Sequence, residues 1–142
     1  MTPARAAVFD LDGVVVDNAR FHREAWRTLC REEGVDLTDP EFWRLTIGRP
    51  VPEALPRLLG RAVAAGELVR LARRRVALYH ELSDGRAPAV PGVVDFVRAL
   101  QAAGVPRALA TSAVPESAAA ILDALGIAEA FPVRVTAADV RR

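Results

Sequence analysis

The stretch that most limits what this chain can fold into is an apolar run, residues 6–9, that leads directly into Asp10, Leu11, Asp12 and Gly13. Alternate side chains of a strand share a face, so Asp10 and Asp12 are expected to project the same way from its carboxyl end. Open α/β sheets place their chemistry at that end. Two carboxylates held this close repel each other, which favours a bound cation or one raised pKa. The alternative is a strand that runs into an ordinary Asp-Gly turn.

Length and composition indicate one domain, or a small core with an inserted subdomain. The chain has 142 residues, of which 51% are hydrophobic, and this is enough to bury a sizeable core. A net charge of +1 gives no indication of a nucleic-acid partner or an anionic membrane surface. Cys30 is the single cysteine, which excludes an internal disulfide and fits a reducing cytoplasm. The start lacks the apolar core of a signal peptide and no run approaches membrane-spanning length, so we expect a cytoplasmic protein.

The hydrophobic periodicity predicts strands at both ends of the chain and only helices in between. Strands are predicted at 5–10, 106–110 and 131–135, with a further short extended piece at 14–16. Helices are predicted up to Gly34 and at 39–45, 52–59, 67–82, 91–103 and 115–125. Strands that alternate with helices predict a parallel sheet with crossover connections. The expected fold is therefore α/β, a partial Rossmann-like parallel-sheet core of 1–17 and 85–142 with an inserted α-helical cap of 18–84.

Several segments resemble the haloacid dehalogenase-like (HAD) hydrolase superfamily. Residues 9–17 are similar to its first motif, in which Asp-Leu-Asp-Gly follows a strand. Residues 17–26 resemble the entry to the helical cap in the group that holds β-phosphoglucomutases and phosphoglycolate-type phosphatases, and 48–50 and 91–93 stand where that group has matching segments. Residues 109–112 resemble the second motif, a strand that ends in a hydroxyl. The resemblance covers essentially the whole chain.

This resemblance implies a role for each matching residue. Asp10 matches the nucleophile that attacks phosphorus and becomes an aspartyl-phosphate, and Asp12 matches the acid/base that protonates the leaving group and then activates water. The Asp10 carboxylate and the Asp12 backbone carbonyl would also ligate Mg²⁺, a hard cation that prefers oxygen. Thr111, with Ser112 beside it, matches the hydroxyl that binds the phosphoryl oxygens next to the following helix start. Gly13 would let the backbone approach the phosphate closely.

Three residues have two interpretations each. Thr111 is equally well explained as the N-cap of the next helix. Arg49 either faces the substrate from the cap, where arginine suits a second anionic group, or is solvated. His22 matches a cap-entry histidine of the mutase-like members, but a structural side chain is the favoured interpretation.

Other conspicuous residues are interpreted as structural. Arg73–Arg75 are expected on a solvated helix face. Cys30 lies on an apolar helical face and is expected to be inert packing. The aromatic residues Trp26, Phe42 and Trp43 are assigned to the cap core.

Two motifs of the family are missing from the sequence. One is a lysine, but all 19 basic residues here are arginine. The other is an acidic pair after a fourth strand, and Asp139 does not match it because 136–139 resembles the segment just before the lysine. The chain is therefore interpreted as C-terminally truncated relative to the family. Arg141 or Arg142 would offer positive charge in place of the lysine, but the side chains of terminal residues are poorly oriented toward a site.

A core of three strands would leave sheet edges and apolar surface uncovered. Three outcomes are compatible with this deficit. The isolated chain is marginally stable, forms a homo-oligomer through an exposed sheet edge, or is a piece of something longer.

The function that the resemblance implies is Mg²⁺-dependent hydrolysis of a small phosphomonoester, a phosphorylated metabolite, through Asp10. A sugar-phosphate mutase is less favoured, because the mutases have a Gly-x-Ser-Arg cap segment where this chain has 48–51, Gly-Arg-Pro-Val. The alternative from another class is an inactive fragment or phosphate-binding module that lacks the lysine and the second acidic motif.

Overall fold

The computed structural model of the protein describes residues 5–140. The chain forms a core unit of Met1–Ala19 with Gly85–Arg142 and a helical unit of Arg20–Asp84. The elements follow in the order β1 (Ala7–Phe9), α1 (Ala19–Glu32), α2 (Asp39–Thr46), α3 (Val51–Leu59), α4 (Ala65–Ser83), α5 (Val93–Ala102), β2 (Arg107–Ala110), α6 (Pro115–Ala124), a 3₁₀ turn (Ala128–Ala130) and β3 (Val133–Val135). None of the helices within residues 5–140 combines the length and apolar character that crossing a membrane requires. The arginines at 141 and 142 lie outside the described residues.

The core unit is built on one parallel sheet in the strand order β1-β2-β3. The register pairs Phe9 with Leu109 in the first ladder and Ala110 with Val135 in the second. Parallel neighbours need long crossover connections, and here the crossovers carry the helices. The predicted α/β class with a parallel sheet is confirmed.

The side chains along β1 alternate between the core and the solvent. Phe9 and Leu11 are buried in a cluster with residues of β2, α5 and α6, among them Leu109. Val8 and Asp10, the intervening residues, are exposed. The strand therefore turns its apolar face to the core and leaves its other face in solvent.

Both outer strands have an edge without a strand neighbour among residues 5–140. Val8 on β1 is 70% exposed, and Val133 and Val135 on β3 are exposed as well. The sequence predicts uncovered apolar surface of this kind for a three-stranded core, and the structure has it.

The loop after β1 is a compact turn. The backbone N–H groups of Val15 and Val16 both donate to the Leu11 carbonyl, at 2.9 and 3.0 Å. Val16 makes isolated bridges to Asp12 and Ala89 but belongs to no strand. The prediction of a second extended piece at 14–16 is wrong, because burial of Val15 and Val16 is achieved by a turn that folds back on Leu11.

The helical unit has its own apolar core from α1 to α4. Local signals in the sequence explain the helix ends. α2 begins with a capping box, in which Glu41 accepts hydrogen bonds from the Thr38 N–H and hydroxyl at 3.0 and 2.6 Å. α3 ends at Gly60, whose φ of 63° is the left-handed conformation that favours glycine.

The interpretation of Trp43 as cap core is wrong. Trp26 and Phe42 are buried in the core of the helical unit, but Trp43 is 50% exposed. Successive residues of a helix point about 100° apart, so Phe42 and Trp43 cannot both face the same core.

The solvated-face interpretation of Arg73–Arg75 is wrong for Arg75. Its Nη2 lies 2.6 Å from His22 Nδ1, and its guanidinium carbon lies 5.3 Å from the centre of the Trp26 ring. His22 also stacks on Tyr79, with ring centres 4.3 Å apart. His22 thus has structural contacts within the helical unit.

The prediction that Cys30 packs on an apolar helical face is confirmed. The thiol is fully buried, and burial, aided by the negative charge of Glu41, raises its pKa to about 11. A thiol with so high a pKa carries little thiolate at neutral pH.

Candidate active site

Polar residues follow two neighbouring strands at the same edge of the sheet. Asp10 comes directly after β1 and Thr111 directly after β2. The register of Phe9 with Leu109 sets Asp10 level with Ala110, one residue before Thr111. Because the strands are parallel, both residues stand at the carboxyl edge, where open α/β sheets bind ligands.

Asp10 is an exposed carboxylate that directly follows β1. Its neighbours Phe9 and Leu11 are buried, so alternation directs Asp10 away from the core. Asp10 Oδ1 accepts a hydrogen bond from the Leu11 N–H at 2.7 Å. An exposed carboxylate at the carboxyl end of a strand is suited to act as a nucleophile or as a metal ligand.

Asp12 is half-buried and engages a neighbouring amide. Asn18 Nδ2 donates to Asp12 Oδ1 at 2.6 Å, and Asn18 itself is only 1% exposed. Sequence reasoning did not assign Asn18 to the site. Its only signal is a polar residue just before a helix, a position where asparagine commonly acts as an N-cap.

Gly13 owes its place to backbone conformation. Its φ is +75°, and a Cβ built on it would meet no atom within 4 Å. The residue is therefore needed for the left-handed turn after Asp12, and space for a side chain is available.

Thr111 has hydrogen bonds that exclude the N-cap interpretation. Its N–H donates to the Val135 carbonyl at 2.9 Å, and its Oγ1 accepts from the Ala113 N–H at 3.1 Å. The N-cap of α6 is Val114, three residues later. Thr111 is buried and Ser112 beside it is exposed, so the strand end presents one ordered and one solvated hydroxyl.

A third polar residue, Thr136, follows β3 but forms a closed local turn. Asp139 Oδ2 accepts from the Thr136 N–H at 2.8 Å and from its hydroxyl at 2.9 Å. These bonds, the backbone one first, hold the pKa of Asp139 below its usual value. The contacts give Asp139 a structural function in this turn.

Arg49 lies in the helical unit and is exposed. Its Nη1 donates to the Arg44 carbonyl at 2.6 Å, in the last turn of α2. A cation is favourable at that end of a helix, so the contact supports α2. Arg49 also lines a cavity of about 460 Å³ within the helical unit, together with Arg44 and Arg57.

The oxygen donors near β1 fit part of a magnesium site. Mg²⁺ is commonly bound through one or two carboxylates, with water and substrate phosphate in the other positions. Asp10 is exposed and half-buried Asp12 follows two residues later, so the donor chemistry suits this cation. Residues 5–140 contain no group of three or more His, Cys, Asp or Glu residues that could hold a metal ion. Water and substrate phosphate would therefore have to supply the other ligands.

Comparison with known proteins gives consistent matches. The family model described as haloacid dehalogenase-like hydrolase matches residues 4–142. Validoxylamine A 7'-phosphate phosphatase of Streptomyces hygroscopicus subsp. limoneus is 35% identical over 139 residues, which is 97% of this chain and 64% of that protein. A phosphoglycolate phosphatase of Caulobacter vibrioides is 29% identical over 127 residues, covering 87% of this chain and 53% of its own length.

The fold is similar to that of solved structures. β-Phosphoglucomutase from Clostridium difficile superposes with a TM-score of 0.77 at 27% identity, over 97% of this chain and 64% of that one. The chain thus spans less than two thirds of each of these relatives.

Proposed function

Because the chain belongs to the haloacid dehalogenase-like hydrolases, we propose that it acts as a phosphatase on a small phosphorylated metabolite. The observation that carries the proposal is the exposed Asp10 carboxylate at the carboxyl edge of β1, level with the strand end that bears Thr111. Relatives that are named phosphatases support the same reaction class.

In the proposed reaction Asp10 is the nucleophile. A carboxylate oxygen of Asp10 attacks phosphorus, and the bond between phosphorus and the ester oxygen breaks while Asp12 gives that oxygen a proton. Water then attacks the aspartyl-phosphate, Asp12 takes the proton of the water, and the bond between phosphorus and Asp10 breaks. Inorganic phosphate leaves and both carboxylates return to their starting state.

The other residues of the site would bind the phosphoryl group. Thr111 and Ser112 supply hydroxyls, and the backbone at Gly13 would bring N–H groups towards the phosphate oxygens. Mg²⁺, held by the Asp10 carboxylate and the Asp12 backbone carbonyl, would offset the repulsion between the nucleophile and the anionic substrate. A conformation of Gly13 that leaves space beside its Cα fits this use.

The test is hydrolysis of p-nitrophenyl phosphate by the chain with Mg²⁺, beside two matched variants. Asp10→Asn removes the nucleophile, and Asp123→Asn makes the same change at an exposed position of α6. We expect equal rates for the wild type and Asp123→Asn, and a loss of about 10³-fold or more in Asp10→Asn. Activity that survives Asp10→Asn would refute the assignment of the nucleophile.

A second candidate, phosphate binding without turnover, is favoured by one observation. The sequence contains no lysine, whereas a further motif of the family that it resembles includes one. Loss of one preorganised donor typically costs about 10²–10³ in rate. Calorimetric binding of inorganic phosphate by a chain that releases none from any phosphomonoester would support this candidate over the phosphatase.

A further inference from the structure

We propose that Asn18 is a positioning residue that holds the Asp12 carboxylate in the orientation needed for proton transfer. The inference rests on the proposed function of Asp12 as the acid/base. It is carried by one hydrogen bond, from Asn18 Nδ2 to Asp12 Oδ1 at 2.6 Å, and by the burial of Asn18.

The hydrogen bond to Asp12 uses the donor end of the Asn18 amide. Asn18 donates through its NH₂ group to an Asp12 oxygen, so this end of the amide faces Asp12. An asparagine N-cap uses the opposite end, because its side-chain oxygen accepts from the backbone of the helix. The contact of Asn18 with Asp12 is therefore separate from any capping bond that the Asn18 oxygen makes.

Backbone hydrogen bonds hold the segment that carries Asn18 in place. In the loop before Asn18, the N–H groups of Val15 and Val16 donate to the Leu11 carbonyl. The Asp17 N–H donates to the Pro88 carbonyl at 2.8 Å. Asn18, 1% exposed, has little room for another rotamer. The loop thus brings a pre-positioned amide to the carboxylate, which restrains rotation of the Asp12 side chain.

Restraint of this carboxylate matters for both steps of the proposed reaction. Asp12 must give a proton to one oxygen and take a proton from another, and proton transfer requires heavy atoms at about 2.6–3.2 Å in good alignment. A carboxylate that rotates freely meets this requirement for a smaller fraction of the time.

The experiment compares Asn18→Thr with Asn18→Val, which have nearly the same shape but differ in one hydroxyl. The Asp12 side-chain rotamer is followed by Hα–Hβ scalar couplings in solution NMR, with amide exchange of β2 as the control for folding. We expect one rotamer in the wild type and in Asn18→Thr, and averaged couplings in Asn18→Val. A single unchanged rotamer in Asn18→Val would overturn the proposal. Asn18→Ala replaces Asn18→Val in the same comparison where the valine variant does not fold.

Steady-state kinetics supply the second readout. In Asn18→Val we expect kcat to fall about tenfold with KM unchanged, as for loss of a hydrogen bond to a charged group, and recovery in Asn18→Thr. An equal kcat in all three proteins would also overturn the proposal. The chain could also show no turnover at all while averaged couplings appear only in Asn18→Val. That result would support the positioning of Asp12 by Asn18 and would refute only the proposed function.

Discussion

Replacement of Phe131 by alanine is expected to destabilise the core unit by about 3–5 kcal/mol. Phe131 is 1% exposed and meets Phe9 edge to face, with ring centres 5.5 Å apart. Phe9 is the residue before Asp10, so the packing of these two rings supports the strand end that carries the proposed nucleophile. Phe96→Ala is the matched control, because Phe96 also contacts Phe9, at 6.0 Å, but is 56% exposed.

The magnitude follows from burial. A fully buried phenylalanine contributes about 1.5–3 kcal/mol of transfer free energy, to which the aromatic contact and the cavity left behind add about 1–2 kcal/mol. Phe96 keeps less than half of this burial and leaves no closed cavity when truncated, so its loss should cost about 1 kcal/mol or less. The loss of unfolding free energy should therefore be about threefold or more larger in Phe131→Ala than in Phe96→Ala.

Hydrogen exchange of the β2 amides, measured by mass spectrometry, is the assay for the core unit. A loss of 3–5 kcal/mol corresponds to a protection lower by roughly 10²–10⁴-fold in Phe131→Ala. Both tryptophans, Trp26 and Trp43, belong to the helical unit, so their fluorescence checks that this unit remains folded. Equal losses for Phe131→Ala and Phe96→Ala would refute the reasoning, because they would mean that the Phe96 face is covered in solution.

Two further predictions concern the backbone at Gly13 and the thiol of Cys30. Gly13→Ala should cost about 1–2 kcal/mol in urea unfolding, since φ of +75° is unfavourable for alanine although its Cβ has space; no loss would contradict this conformation. The pKa of Cys30, raised by burial to about 11, predicts slow reaction with a thiol reagent at pH 8. Because the folded-state pKa of Cys30 is raised, the stabilisation associated with its neutral thiol is fully present below pH 9. This stabilisation is lost as the pH rises through about 11. Urea titrations of the wild type should show this alkaline loss, and the same titrations of Cys30→Ala should not.

Features that depend on neighbouring residues could be predicted from the sequence. The helix that ends at Gly60 and the one that starts after Thr38 carry their own signals, glycine in the left-handed conformation and a capping box. The apolar residues before Asp10 likewise indicated a strand that ends at a carboxylate. Periodicity and capping act over a few residues, so the sequence contains all that they need.

Features that depend on distant partners could not be predicted in this way. Arg75 looked solvated until its contacts with His22 and Trp26 on another helix were known. Thr111 looked equally suited to an N-cap, which the structure places at Val114. In each case the deciding contact is made with a residue whose position the local pattern does not specify.

The sequence by itself determined the α/β class, the parallel sheet and the family, because strand and helix periods and the motif around Asp10 are written in consecutive residues. Only the tertiary structure decided which residues surround that motif. The register sets Asp10 level with Ala110 at one sheet edge, and the turn after Leu11 brings Asn18 onto Asp12. The physical reason is that register and loop closure depend on the burial of Phe9, Leu11 and Val15 against the rest of the core, a balance of packing free energies that no local pattern records.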